Sequence, residues 1–312
     1  MLIALLSDVH GNLPGLQAAE QDMRQVLSSQ ARRSFDQVWL MGDLVDPLPW
    51  PIEVMRTVQA WSGDLVPGEP QFLGGNHDAY VYGLTPLDDT VNPAVAITSQ
   101  ATAALLTQTP EAIWHLEHCT MPANDPEHPE HRPLRHHAVL DCQANGTAPK
   151  IHLCHGMVKE QLAFCYHSSG PDGPGLAAED LRYACTRDGG EVDAPCAIFC
   201  GHRHEVFGWQ RTSASEPMER LDLPRGVWLR LQRGQYLVCV GSVGIPRQQA
   251  RGAEYALEYM VLDIDGPELQ VQVRRVSLER PVLSQQVARR GLDIRFDAQV
   301  LYAMLRFSGL DG

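Results

Sequence analysis

Acidic and histidine residues follow an apolar run near the start of the chain. Residues 4–7 (A-L-L-S) lead into Asp8, and His10 comes two positions later, before Gly11 and Asn12. If strand geometry persists to the end of this run, the Asp8 and His10 side chains point the same way, because strand side chains alternate between two faces. A carboxylate and an imidazole placed together can bind a metal ion, but the same residues can also serve as a turn cap and a surface histidine.

The same kind of pattern recurs four more times along the chain. The segments are M-G-D-L-V-D-P at 41–47, G-G-N-H-D at 74–78, C-H-G at 154–156 and G-H-R-H at 201–204. Each follows an apolar run, so each is predicted to lie at the carboxyl end of a strand, where ligands bind in open α/β sheets. We therefore expect the five loops to converge on one edge of the core.

Together the five loops offer seven oxygen and imidazole donors and no thiolate. The donors are Asp8, His10, Asp43, Asn76, His155, His202 and His204. This chemistry suits Mn, Fe, Zn, Ni or Co better than a structural zinc site. Seven donors exceed the needs of one tetrahedral ion, whereas two ions bridged by a carboxylate would use them all.

The elements that must position these donors are predicted as strands alternating with helices, and the second half is richer in strands. Further strands are predicted at 35–42, 71–74, 195–201, 236–243, 255–264 and 268–278, with a hairpin formed by H-A-V-L-D-C and K-I-H-L-C-H. Helices are predicted after Asn12, from Pro51 through Trp61, after Asn92, after Thr109 and over 282–307. Segments 122–137 and 166–175 are rich in Pro, Gly or His and are predicted as loops. One α/β domain over residues 1–312, with insertions near 122–137 and 159–192, accounts for this order.

Composition narrows the classes of function. The chain has 312 residues and a formal net charge of −13, which disfavours binding to nucleic acid or an anionic membrane surface. The short apolar run Leu2–Leu6 has no basic lead and resembles neither a signal peptide nor a membrane span. The eight cysteines form no C-x-x-C pair, so we expect reduced, packed thiols in a cytoplasmic protein.

The complete ordered set of motifs resembles the calcineurin-like metallophosphoesterase superfamily. Its signature is D-x-H, G-D, G-N-H-D/E, H and G-H-x-H, and every block is present in this order across residues 8–204. The start S-D-V-H-G-N and the later G-S-V-G-I-P-R further resemble the small bacterial and archaeal phosphodiesterase-like branch, through about residue 280. The resemblance implies an α/β fold of four layers, in which two packed mixed sheets are flanked by helices.

The resemblance also implies a ligand set and a cofactor. Asp8, His10 and His204 would hold a first metal ion, Asn76, His155 and His202 a second, and Asp43 would bridge them. The ions are expected to be divalent or transition metals, with manganese favoured over Fe, Zn, Ni, Co or Mg. A hydroxide bridging the two ions would attack phosphorus in line.

Two further residues match the catalytic histidine of the family and its partner. His77 matches the histidine that assists the leaving group, and Asp46 matches the carboxylate that orients it, although Asp46 can also cap a turn before Pro47. Asp78 is expected to hold the loop backbone. Asn12 and Arg247 are candidate substrate contacts; a helix cap and an ordinary surface arginine are the simpler interpretations.

The favoured function is a phosphodiesterase acting on a small phosphoester or nucleotide, and the sequence leaves protein partners open. A dinucleoside polyphosphate hydrolase and a Ser/Thr protein phosphatase are alternatives. The phosphatase is disfavoured because Pro47 stands where such enzymes carry an arginine and Asp78 where they carry glutamate. A noncatalytic scaffold of the same fold, as in retromer, is a distant alternative, since such scaffolds lose metal-site histidines that this chain retains.

Overall fold

The computed structural model describes residues 1–122, 133–140, 142, 148–159, 169–186, 195–247 and 253–311. Within these segments the chain forms twelve strands and eight helices. The strands are β1 (Leu2–Leu6), β2 (Gln37–Met41), β3 (Gln71–Leu73), β4 (His137–Leu140), β5 (Lys150–Cys154), β6 (Cys196–Cys200), β7 (Val206–Arg211), β8 (Glu219–Leu221), β9 (Trp228–Leu231), β10 (Gln235–Val240), β11 (Glu254–Asp265) and β12 (Glu268–Glu279). The helices are α1 (Leu13–Ser29), α2 (Pro51–Ala60), α3 (Asn76–Val81), α4 (Pro93–Leu106), α5 (Pro110–Cys119), α6 (Gly173–Thr186), α7 (Arg280–Asp293) and α8 (Ala298–Phe307).

The strands pair into two mixed sheets of six. The first has the order β3-β2-β1-β11-β12-β9 and the second the order β4-β5-β6-β10-β7-β8. Strands β1, β2 and β3 are parallel to one another, and so are β5, β6 and β10, while the remaining neighbours are antiparallel. The parallel strands of each sheet therefore end at one edge. Two mixed sheets flanked by helices confirm the predicted fold.

One hydrophobic core lies between the two sheets and another between the first sheet and its helices, and β1 contributes to both. Leu2, Ala4 and Leu6 pack against the helices that cover the first sheet, whereas Ile3 and Leu5 face the second sheet. All five residues are buried. A strand covered on both faces has no polar face, which is why this stretch is a continuous apolar run.

Helices complete the outer layers. Helices α1, α2 and α5 cover the first sheet, and α6 covers the outer face of the second sheet through Ala177 and Leu181, which pack in a cluster with Ile198 and Phe207. The layers thus follow the order helix, sheet, sheet, helix. No helix in the described segments has the length and apolar character needed to cross a membrane.

Three helices begin where the sequence predicts, each with a polar N-cap and a proline in the first turn. The capping side chains accept main-chain N–H groups as follows: Asn12 from Gly15 at 3.0 Å, Asn92 from Ala94 at 2.9 Å and Thr109 from Ala112 at 3.2 Å. Such caps satisfy donors that would otherwise have no partner in the helix.

The C-terminal region differs from the prediction of one helix over 282–307. Two helices, α7 and α8, form instead, because Arg295 adopts a left-handed φ of 61° between them. Asp297 then starts α8 as its N-cap by accepting the N–H of Val300 at 2.9 Å. Strands β7, β8 and β9 were also not among the predicted strands.

Both loops are shorter in the structure than the sequence predicts. Residue 137 begins β4, which pairs antiparallel with β5 as the predicted hairpin requires, and Gly173 begins α6. The sequence G-P-G at 173–175 favours a loop, but glycine and proline are also tolerated in the first turn of a helix. Residues 123–132 and 166–168 of these segments lie outside the described residues.

The expectation that the cysteines are reduced is wrong for one pair. Cys185, near the end of α6, forms a disulfide with Cys196, the first residue of β6. Their separation of 11 residues gives no recognisable spacing, so only the packing of α6 on the second sheet brings them together. Among the other described cysteines, those at 119, 154, 200 and 239 are buried thiols, as predicted.

Candidate metal centre

The predicted donors lie together where the carboxyl ends of strands from both sheets meet. They are carried by the loops after β1, β2 and β3 in the first sheet and after β5 and β6 in the second. Main-chain hydrogen bonds join neighbouring loops: the N–H of Asp8 donates to Gly42 at 3.0 Å, and the N–H of His10 donates to Asp43 at 2.8 Å. The site is therefore a junction of loops between the sheets.

Left-handed backbone conformations are concentrated at this junction. Six of the nine non-glycine residues with positive φ in the described segments are Asp8, His10, Asp43, Asp46, His202 and His204, with φ between 53° and 64°. This region is uncommon for such residues and costs about 1–3 kcal/mol each unless the surroundings impose it. The condition that strand geometry persists to Asp8 and His10 is therefore not met, since β1 ends at Leu6 and the loop turns both residues inward.

A first group of potential ligand atoms comes from Asp8, His10, Asp43 and His204. All four residues are buried, and one ligand atom from each lies within 4.8 Å of the others. Nε2 of His204 is 3.0 Å from Nε2 of His10 and 3.2 Å from Oδ1 of Asp8. The three side chains thus point at one small volume.

A second group shares Asp43 with the first. Its other members are His155 and His202, again with ligand atoms within 4.8 Å of one another. Nε2 of His155 is 3.3 Å from Oδ2 of Asp43 and 3.2 Å from Nδ1 of His202. The side-chain oxygen of Asn76 lies 3.2 Å from the same Nε2 atom and extends this group.

Main-chain carbonyl groups fix the tautomers of three of these rings. The Nδ1 atoms of His10, His155 and His204 face the carbonyl oxygens of Asp46, Met41 and Ile245, respectively. A nitrogen facing a carbonyl must donate a proton, so a neutral ring keeps an unprotonated Nε2. Such support is typical of metal-binding histidines. Unprotonated Nε2 atoms of His10 and His204, 3.0 Å apart, would repel each other unless a cation lay beside them.

Asp43 supplies the test of whether two cations fit. Its Oδ1 accepts the main-chain N–H of His77 at 2.8 Å, but its buried Oδ2 has no hydrogen-bond partner among the described residues. That oxygen lies 3.8 Å from Nε2 of His10 and 3.3 Å from Nε2 of His155. A carboxylate oxygen buried without a partner is costly, so its position between the two groups fits a cation on each side.

The electrostatics of the site also favour positive charge. Burial raises the pKa of Asp8, but His204 beside it lowers the value to about 2 overall. Burial likewise opposes ionisation of Asp43, yet His155 holds its pKa well below the usual range. Burial opposes the charge on His155, but Asp43 raises its pKa to about 10, whereas burial lowers the pKa of His202 to about 3. Two ionised carboxylates thus lie in a buried site.

His77 and Asp46 form a pair beside the two groups. Nδ1 of His77 lies 2.7 Å from Oδ2 of Asp46, and both side chains are nearly or fully buried. Asp46 also accepts the hydroxyl of Ser99 at 2.7 Å and that of Thr102 at 3.1 Å. Burial opposes the charged form of His77, but Asp43 and the hydrogen bond to Asp46 raise its pKa above the ordinary value. The ring is therefore held in one orientation by a carboxylate that is itself anchored.

Asp78 holds the loop backbone, as the sequence predicts. Its Oδ2 accepts the N–H groups of Asp43 at 2.8 Å and Gly75 at 2.9 Å, and its Oδ1 accepts that of Leu44 at 3.1 Å. Burial, together with the charge of Asp43, raises the pKa of Asp78 to about 7. The side chain thus fixes the position of Asp43.

Two glycines are required by close approach to the donors. A Cβ atom at Gly75 would lie 2.2 Å from Oδ1 of Asp43. A Cβ atom at Gly42, where φ is +95°, would lie 2.5 Å from Nδ1 of His155. Any larger residue at either position would displace a donor.

A family model for calcineurin-like phosphoesterases matches residues 1–206, which is more than half of the chain. The chain belongs to the calcineurin-like phosphoesterase family. The resemblance seen in the sequence is thereby confirmed, and the protein is a metal-dependent phosphoester hydrolase. The matched region contains all five donor loops of this phosphoesterase and ends just after His204.

Two solved structures are similar to this phosphoesterase over nearly its whole length. A metallophosphoesterase from Sphaerobacter thermophilus is 21% identical, with a TM-score of 0.58, over 99% of this chain and 100% of its own. A hypothetical protein from Pyrococcus horikoshii OT3 is 14% identical, with a TM-score of 0.61, over 97% of each chain. At these identities the likeness establishes the fold. No curated protein matches the sequence at a significant level.

The two candidate substrate contacts of the phosphoesterase lie in different surroundings. Asn12 is fully buried; its Oδ1 caps α1, and its Nδ2 donates to the carbonyl of Gly244 at 2.9 Å. Arg247 is exposed, and its main-chain N–H donates to the carbonyl of His204 at 3.1 Å. Helix capping accounts for the contacts of Asn12, while Arg247 is close to the centre through its backbone.

Three residues of the phosphoesterase that contact His77 or Asp46 were not predicted from the sequence. Ser99 and Thr102 anchor Asp46, and the ring of Phe307 lies 5.6 Å from that of His77, centroid to centroid. A signal for the first two was present, since hydroxyl residues at a spacing of three lie on one face of α4. Phe307 gave no signal, because its approach depends on the packing of α8.

Proposed function

We propose that this phosphoesterase carries two metal ions and hydrolyses phosphodiesters. The observation that carries the proposal is the buried Oδ2 atom of Asp43, which has no hydrogen-bond partner among the described residues and lies between two groups of donors. A cation on each side would satisfy this oxygen, and a carboxylate that bridges two ions would draw both groups into one site.

The proposed ligands follow the two groups. Asp8, His10 and His204 would hold the first ion, Asn76, His155 and His202 would hold the second, and Asp43 would be shared by both. The carbonyl groups that orient three of the rings support this assignment. Manganese is the proposed metal, and Fe, Zn, Ni, Co and Mg are the alternatives for such oxygen and imidazole donors. When bound, the ions supply Lewis-acid polarisation of the phosphoryl group and a nucleophilic water at neutral pH.

His77 is proposed to hold the proton for the leaving oxygen. Asp46 occupies Nδ1, so Nε2 is the nitrogen left to donate a proton to the leaving group. General acid catalysis of this kind contributes roughly 10²–10⁴-fold to a rate. Ser99 and Thr102 keep Asp46 in place and thereby keep the imidazole aimed in one direction.

Two positions support a phosphodiester as substrate rather than a phosphoprotein. A buried proline, Pro47, stands where the related protein phosphatases carry the arginine that helps to hold phosphate. Asp78 stands where they carry glutamate, and here it binds main-chain N–H groups. A diester carries less negative charge than a monoester. Its binding therefore loses less electrostatic attraction when the arginine is replaced by proline.

The proposal is tested on protein stripped of metal and reloaded with manganese. Hydrolysis of bis(4-nitrophenyl) phosphate is compared with that of 4-nitrophenyl phosphate for the wild type, Asp43→Asn and His77→Ala. Asp64→Asn, a change to an exposed carboxylate paired with Arg24, is the control. We expect manganese-dependent hydrolysis, faster for the diester, that is lost in the first two variants and retained in the control.

Two outcomes would contradict the proposal in different ways. Faster hydrolysis of the monoester would overturn the diester assignment alone. No hydrolysis with any of Mn, Fe, Zn, Ni, Co or Mg, together with no bound metal by elemental analysis, would overturn the dinuclear enzyme as a whole.

A further inference from the structure

A cavity lies between α4 and α8, next to the proposed proton donor. Its volume is about 550 Å³, within the usual range for small-molecule sites. The N-terminal part of α4 forms one wall, and one face of α8, from Gln299 to Phe307, forms the other. Helix α8 lies beyond residues 1–206, so one of the two walls is outside the region that the family model matches.

Phe307 connects the cavity to the metal centre. Its half-buried ring lines the cavity and also lies 5.6 Å from the His77 ring. Tyr80 approaches the same imidazole at 6.1 Å, so His77 has two aromatic neighbours. Phe307 therefore belongs both to the lining of the cavity and to the surroundings of His77.

The walls have the composition of a site for a flat organic group. Tyr302 exposes 59% of its surface although it is a large aromatic residue. The guanidinium carbon of Arg306 lies 5.9 Å from the centre of the Tyr302 ring, and Ile97 and Ala303 add apolar surface. Aromatic rings and a guanidinium plane both stack on the face of a heterocyclic base, whichever hydrogen-bond donors and acceptors the base carries.

We propose that this cavity receives the leaving group of the substrate and selects an aromatic one, such as a nucleoside. The proposal rests on the function proposed above, because it places the leaving oxygen beside His77. Tyr302 is the residue proposed to determine specificity, with Phe307 as the inner wall and Arg306 as a second stacking surface. The scissile phosphate stays at the metal centre, and only the alcohol side of the ester enters the cavity.

The test compares two methyl phosphate diesters whose leaving alcohols have similar acidity, 4-chlorophenol and hexafluoroisopropanol. Matched acidity makes the chemical step similar, so the ratio of the two kcat/KM values reports recognition of the aromatic ring. We expect the manganese-loaded wild type to favour the aryl ester by roughly tenfold, the scale of one stacked ring. Tyr302→Ala should bring the ratio close to one, whereas Tyr302→Phe should keep it.

Leu292→Ala is the control, since Leu292 is an exposed apolar residue on α7 that does not line the cavity. It should leave both rates unchanged. Phe307→Ala is a second variant; because Phe307 contacts His77, it should lower both rates as well as the ratio.

A binding measurement separates this proposal from the catalytic one. Calorimetric titration with adenosine and with ribose requires no turnover, and we expect adenosine to bind the wild type at least tenfold more tightly than ribose and to lose this advantage in Tyr302→Ala. Equal wild-type rates for the two esters, or a preference that survives Tyr302→Ala, would overturn the cavity proposal while the proposed function stands. Absence of hydrolysis of both esters would overturn the proposed function and the leaving-group assignment with it.

Discussion

The two groups of candidate ligands contain similar donors but differ in their access to water. In the first group every residue is buried, and Asp8 and His10 have no exposed surface. In the second group His202 is half-buried, whereas Asp43 and His155 are buried. One shared carboxylate, Asp43, thus joins a closed group to a more open one.

The groups also differ in which ring nitrogens face the site. In the first group both histidines have Nδ1 bound to a main-chain carbonyl. The carbonyl belongs to Asp46 for His10 and to Ile245 for His204. In the second group, Nδ1 of His155 is bound to the carbonyl of Met41, whereas His202 turns its Nδ1 towards the site. Electrostatic interactions are stronger where water is excluded. Because the first group is the more buried, we expect the first ion to bind more tightly and to exchange more slowly.

The largest effect is expected from Asp43→Asn, because it removes the one donor that both groups share. The amide cannot carry the charge that two adjacent cations require, so metal content should fall from two ions per chain to less than one. Elemental analysis after gel filtration measures this. Two retained ions in the variant would show that Asp43 does not bridge.

A pair of variants can separate the two groups. His10→Ala should remove the tight ion and leave a weak one, whereas His155→Ala should remove the weak ion and leave a tight one. Titration of metal-free protein with manganese, followed by calorimetry, should then show a single weak phase and a single tight phase, respectively. The same residual affinity in both variants would contradict the difference between the groups.

Removal of metal from the intact protein should proceed in two steps. A chelator should take the ion of the more open group first, because His202 leaves that group partly exposed. Activity should disappear with the first step, since the proposed chemistry needs both ions. Metal release measured with a colorimetric chelator, in parallel with hydrolysis of the diester, tests this order; loss in one concerted step would contradict it.

The smallest effect is expected from Ser99→Ala, which removes one of the hydroxyl groups that anchor Asp46. Ser99 acts through Asp46 and His77, so the rate should fall only several-fold, and more for esters with poor leaving groups than for 4-nitrophenyl esters. Thr107→Ala, an exposed hydroxyl at the C-cap of α4, is the control. A loss of equal size for good and poor leaving groups would indicate a purely structural role.

Much of this arrangement could be predicted from the sequence, because ligands in such sheets lie at the carboxyl ends of strands. Apolar runs that end in Asp8, Asp43 or His155 were sufficient to place the loops on one edge. The local sequence pattern also predicted the N-caps at Asn92 and Thr109, because capping depends on residues only two or three positions apart.

The parts that could not be predicted depend on contacts between distant segments. The tautomer of His204 is set by the carbonyl of Ile245, 41 positions away. The left-handed backbone at Asp8 and His10 depends on main-chain hydrogen bonds to the loop after β2, and strand alternation therefore gave the wrong local geometry. The disulfide between Cys185 and Cys196 likewise requires the docking of α6 on the second sheet.

Helix α4 has two faces with different neighbours, so substitutions on one face can leave the contacts of the other face unchanged. Ser99 and Thr102 face Asp46, whereas Ile97 lines the cavity, about 140–200° around the helix from them at 100° per residue. Replacement of side chains on the outer face can alter the shape of the cavity while the hydroxyl anchors stay in place. A shift of the whole helix would move both faces together. Divergence among relatives should therefore proceed by exchange of residues on α4 and α8, with the axis of α4 held constant.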